Sequence, residues 1–143
     1  MGAGVAGACV LAWLAVLIVY DIRQRRLPNF LTLPGAVVIL GGAVIAGCWV
    51  PALSGAVVLA GLYLVIHLLA PAAMGAGDVK LAIGVGSLTG AFGFEVWALA
   101  AVGAPLLTGV WALVTVIGRS GSTVPHGPSM CVAALAAVAL VIL

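Results

Sequence analysis

A chain of 143 residues that is 66% hydrophobic and carries only five basic and three acidic side chains cannot cover a water-soluble domain, in which about a quarter of residues are charged. A mean hydropathy of +1.42 excludes disorder, twenty glycines without a three-residue period exclude collagen, and three cysteines are too few for a disulfide scaffold. An integral membrane protein remains, all-α and polytopic, with room for about six or seven spans of about 20 residues each.

Residues 3–20 read as the first span. No basic residue precedes Asp21, so the charged n-region of a cleavable signal is missing and the segment is expected to stay in the chain. It runs into Asp21-Ile22-Arg23-Gln24-Arg25-Arg26-Leu27-Pro28-Asn29. A second span is expected at 32–50, with Pro34 in its first turn, where a missing N–H costs least, and Thr32 placed to cap it. The third, 52–70, contains His67, read as a helix–helix hydrogen-bonding group because no second histidine or carboxylate stands at ligand spacing. Gly75-Ala76-Gly77-Asp78 then delivers an acid to the start of the fourth span, 79–94, beside Lys80. Within that span Gly86 and Gly90 form a G-x-x-x-G, read as a helix-packing pair. Spans at 96–117 and 129–143 follow, the fourth and sixth being short, and residues 1–143 form one transmembrane domain without internal repeats.

All five basic residues fall in alternate loops: Arg23, Arg25 and Arg26 after span one, Lys80 after span three, and Arg119 after span five. The remaining loops hold none, and one carries Glu95. The positive-inside rule makes the basic loops cytoplasmic and both termini external. A nucleic-acid surface would need a broad basic face with aromatic platforms, so none is expected. The arginines suit topology and lipid headgroups better than substrate.

Asp21 and Asp78 thus lie at the same face of the membrane. Taken singly, Asp21 is accounted for as a topology flank with a local ion pair, and Asp78 as a helix N-cap favoured by the dipole. Together they could share one proton, since two close carboxylates do not both ionise easily. The ionised member would take a proton from water while the protonated one polarises a scissile carbonyl. Gly75 and Gly77 would let an extended substrate lie beside Asp78.

At these residues the chain resembles the type IV prepilin peptidases, which are G-x-G-D membrane aspartyl proteases. Asp21 six residues before Leu27-Pro28-Asn29 is similar to the family's first motif, and Gly75-Ala76-Gly77-Asp78-Val79-Lys80-Leu81 to its second. Val124-Pro125-His126-Gly127-Pro128 is similar to a Pro-aromatic-Gly-Pro segment before the last helix, with His126 in place of the usual Phe or Tyr. The resemblance implies a catalytic pair, Asp21 and Asp78, supported by Gly75, Gly77, Lys80, Pro28, Asn29, Pro125, Gly127 and Pro128, with no metal and no cofactor. It implies a prepilin or pseudopilin substrate, cut on the cytoplasmic side just before its hydrophobic helix, in a prokaryotic inner membrane. Longer members also N-methylate the product through an added region with paired Cys-x-x-C. Cys9, Cys48 and Cys131 are too dispersed for that pattern and read as small buried hydrophobes, so a peptidase-only branch, of the kind associated with tight-adherence (Flp-type) pili, is expected. The sequence leaves monomer and homo-oligomer both open, and leaves Lys80 open between tuning Asp78 and snorkelling.

Two rival readings stand beside this one. Gly118-Arg119-Ser120-Gly121 matches the G-x-S-G of intramembrane serine proteases, with His126 in the same loop, although such a dyad draws its members from two packed helices. A small transporter or proton-relay protein would use Asp21 and Asp78 as ion sites, although acids near the midplane and repeated halves, usual in that class, are not seen in the sequence.

Overall fold

The computed structural model describes residues 2–119, 121 and 124–143, and Ser120 therefore lies outside the described residues. The described chain is all-helical: α1 (Gly2–Gln24), α2 (Asn29–Ile45), α3 (Trp49–Leu69), α4 (Ala76–Ala91), α5 (Phe94–Ile117) and α6 (Gly127–Ile142). Three of these, α1, α3 and α5, are long and apolar enough to cross a membrane by themselves, at 23, 21 and 24 residues. At ~1.5 Å per residue the 16-residue α4 is about 24 Å long, short of a hydrocarbon core of about 30 Å. It is instead enclosed by protein, packing against α2, α3, α5 and α6.

What lets α4 sit in the middle is the small size of its side chains. Gly86 and Gly90 lie against the α3 backbone so closely that a Cβ on Gly86 would overlap the Gly55 carbonyl, and one on Gly55 the Gly86 carbonyl. The G-x-x-x-G pair is therefore a packing face, at which backbones meet and dispersion replaces the hydrophobic effect that lipid cannot supply. Trp13 of α1 fills the space that a Cβ at Gly35 on α2 or at Gly84 on α4 would need, and its Nε1–H donates to the Leu31 carbonyl at 2.7 Å. That indole ties the three helices two turns below Asp21.

The helix ends differ from the expected spans in a consistent way. The α2 helix starts at Asn29, with Pro28 as N-cap in an extended conformation, so Pro34 lies inside the helix rather than in its first turn. Thr32 does not cap: it is buried, and its Oγ1 donates back to the Pro28 carbonyl at 3.3 Å. The cost of Pro34 is one missing helical hydrogen bond near the start, which the packed helix absorbs. The α3 and α4 helices likewise begin three residues early, and α1 runs a turn beyond the expected end, carrying Asp21 inside its last turn. His67 bonds no other helix; its Nδ1–H donates to the Met74 carbonyl at 2.6 Å and so fixes the turn leading to Asp78.

Candidate active site

Asp21 stands on the face of α1 that also buries Leu14 and Leu17, a spacing of three and four residues that points all three inward. It is only 6% exposed, and its Oδ2 has no hydrogen-bond partner among the described residues. Such an oxygen is costly to bury, and sites that use it chemically are where it is tolerated. The first residue of α6, Gly127, closes over it so tightly that a Cβ there would overlap Oδ2. Pro128 follows in the first turn of α6, where its missing N–H breaks no helical bond. Burial raises the proton affinity of Asp21, against the opposing pull of the Gly127 amide and the Arg25 charge.

Asp78 is the third residue of α4, after Gly75 as N-cap. It does not cap the helix in the expected way. Its carboxylate turns back towards Gly75, with Oδ2 3.6 Å from where a Cβ on that glycine would lie. Burial above all, and then the charge of Asp21, push its pKa up to about 6. The two carboxyls line one open cleft of about 830 Å³ together with Gly75, Gly77, Lys80, Pro28 and Asn29. Two contacts hold its walls together. Lys80 Nζ donates to Asn29 Oδ1 at 2.7 Å, tying the start of α4 to the start of α2, and Gly77 packs on Leu27, whose Cβ would lie 3.1 Å from an added Cβ. Arg25, also on the cleft, ends α1 in the left-handed region at φ 51°, a conformation that costs a non-glycine residue about 1 kcal/mol or more.

The two acids therefore share a cleft, burial raises the proton affinity of both, and the charge of Asp21 helps push Asp78 up to about 6. A model of the type IV leader peptidase family matches residues 8–143, nearly the whole chain.

The chain belongs to the type IV leader peptidase family.

It is thus a membrane protein of a peptidase family, and the family implies a prepilin-type substrate in general. Comparison with curated proteins and with solved structures gave no match.

Of the third motif, Gly127 touches Asp21, whereas Pro125, Gly127 and Pro128 are not among the residues that line the cleft. His126 is held on both ring nitrogens, by Tyr63 Oη at 2.8 Å and Thr108 Oγ1 at 2.7 Å, while Ser120, its partner in the serine reading, lies outside the described residues. Tyr63 and Thr108 were not legible as site residues. A signal existed for Tyr63: it continues the face Ala52, Gly55, Ala56 and Leu59, and a hydroxyl on an otherwise small and apolar stripe needs a buried partner. Thr108, one of several threonines in apolar helices, gave none.

Proposed function

We propose that the protein is a membrane aspartyl endopeptidase that removes the leader of a prepilin or pseudopilin at the cytoplasmic face of a prokaryotic inner membrane, without methylating the product. The observation that carries this reading is the pair Asp21 and Asp78 lining one cleft, each with a raised proton affinity. Asp21 is the ionised member: it takes a proton from a water, whose oxygen attacks the scissile carbonyl. Asp78 is protonated and hydrogen-bonds the carbonyl oxygen as its charge develops. Collapse of the tetrahedral species passes the Asp21 proton to the leaving amine. Lys80 and Asn29 hold the cleft wall beside Asp78, and Gly75 and Gly77 leave room for an extended segment next to it.

The distribution of basic residues supports six spans with both termini external, since every lysine and arginine lies in the last turn of α1, follows α1 or α5, or opens α4 after α3.

The test is leader removal from a co-expressed Flp-type prepilin, followed by gel shift, with wild type, Asp21→Asn, Asp78→Asn and Ser120→Ala. Asparagine keeps size and most hydrogen bonding but cannot ionise, so either Asn variant alone should abolish cleavage while reaching the membrane in wild-type amount. The double variant should be no worse, because one loss already disables the unit. Cleavage persisting in either Asn variant overturns the dyad, and loss confined to Ser120→Ala overturns it in favour of a serine nucleophile. The mass of the processed pilin reads methylation separately: a free amine is expected, and a methylated one ends that part of the proposal.

A further inference from the structure

The segment that opens α6 is held by a side chain for which the dyad chemistry has no use. His126 precedes Gly127, and its ring bridges α3 and α5 through Tyr63 and Thr108. Its Nδ1 shares a hydrogen bond with Thr108 Oγ1, which also lies 3.1 Å from the Ala104 carbonyl, and its Nε2 shares one with Tyr63 Oη. Burial holds the pKa of His126 below the ordinary histidine value, in keeping with a neutral ring. One residue further, Gly127 is packed against Asp21 too tightly for a Cβ, and its backbone amide lowers the proton affinity of that carboxyl. A continuous path therefore runs from α3 and α5, through the imidazole, to the one amide that favours ionised Asp21.

We propose that His126 is a positioning residue: clamped between Tyr63 and Thr108, it holds the Gly127 backbone against Asp21 and so fixes the Asp21 carboxyl in place for its part in the pair. This rests on the aspartyl peptidase reading above. Loosening the clamp weakens the pull of the Gly127 amide on that carboxyl and lets the dyad take up its second proton at higher pH. The other groups that bear on Asp21 are Arg25 just after α1, Asp78 from α4 and Cys131 from α6, with Arg26 and Lys80 on the cleft rim. Neither Thr108 nor His126 is bonded to any of them.

The experiment is the pH–rate profile of purified protein on a prepilin, for wild type, Thr108→Val, Thr108→Ser, His126→Phe and the Thr108→Val/His126→Phe double variant. Thr108→Val and His126→Phe should each move the acid limb up by about 0.5 to 1 pH unit and lower kcat near that limb by about three- to tenfold, with KM within about twofold. Thr108→Ser should restore what Thr108→Val loses, and the double variant should match His126→Phe alone. A merely structural role would scale the rate equally at every pH. An acid limb that does not move, or effects that multiply in the double variant, overturn the inference while the peptidase reading stands. If His126→Phe is not recovered folded, the comparison of Thr108→Val with Thr108→Ser decides alone. No cleavage by wild type overturns the peptidase reading and this inference with it.

Discussion

Asp78 carries a proton affinity that chemistry can use and stability cannot. With its pKa at about 6, the protonated carboxyl that the proposed mechanism needs is lost as pH rises through that value, so kcat/KM should fall on the alkaline side of about 6 in a pH–rate profile. The same shift has a thermodynamic sign. The folded state binds the Asp78 proton more tightly than the unfolded state, whose carboxyl has the ordinary value of 3.8, so stability drops as pH rises from about 4 through about 6 and stays lower above. A displacement of this size is on the order of 3 kcal/mol. Asp78→Asn should therefore unfold at higher temperature than wild type at pH 7.5, with the gain shrinking toward pH 4, while cleavage is gone. An Asp78→Asn protein no more stable than wild type at pH 7.5 would contradict the buried, proton-holding environment. Gly127 makes a complementary case. Adding one methyl group there forces Asp21 aside, so Gly127→Ala should lose at least about tenfold in cleavage at wild-type membrane levels, read by the same gel shift.

At the scale of elements, the site depends on how deeply α4 is set against α3. Gly55, Gly86 and Gly90 bring the two backbones together, and Trp97 Nε1–H donates to the Gly55 carbonyl at 3.0 Å on the same seam. Since α4 begins with the Asp78 turn, wedging its middle displaces its start. Gly86→Ala should cost about 1–3 kcal/mol of stability by overpacking and reduce cleavage with it. Gly61 lies on the same helix α3 with no atom within 4 Å of an added Cβ, so Gly61→Ala should be neutral in both measurements. Equal effects from the two alanines, measured by thermal unfolding in detergent, would show that helix propensity and not the seam is responsible.

The whole molecule is turned inside out relative to a soluble bundle. Its buried positions are largely Ala, Gly, Ser and Thr on α4 and α6, while Leu106, Val110 and Leu113 of α5 and Val5, Leu11 and Val16 of α1 face outward. Lipid accepts those outward faces at no cost, whereas close backbone approach needs the small residues inside. With the end of α1 and the starts of α2 and α4 meeting at one cleft, the proposed topology puts that cleft in the cytoplasm. An impermeant thiol reagent added to intact cells should therefore label the native Cys48, in the turn between α2 and α3, but neither Gln24→Cys nor Ala72→Cys introduced with Cys48 removed. Labelling of Gln24→Cys from outside would reverse the orientation and remove the site from prepilin leaders.

The sequence by itself determined the membrane class, the order of six helices and both acid motifs, because length, hydropathy and the placement of eight charges are one-dimensional quantities that a bilayer reads directly. Helix starts were less legible: Pro28 and Gly75, rather than the residues beside the apolar runs, set the beginnings of α2 and α4, since a backbone in protein can be helical before it is in hydrocarbon. Faces were not legible at all. The α1 helix is apolar on every side, so nothing in its pattern distinguishes the stripe of Leu14, Leu17 and Asp21 that packs inward. Only the tertiary structure decided that Gly127 would meet Asp21, that Tyr63 and Thr108 would grip His126, and that His67 would bond the turn before Asp78. Each of these joins residues far apart in the chain or across a turn, through contacts that depend on helix rotation, and rotation in a membrane is fixed by side-chain packing against neighbours rather than by any hydrophobic face.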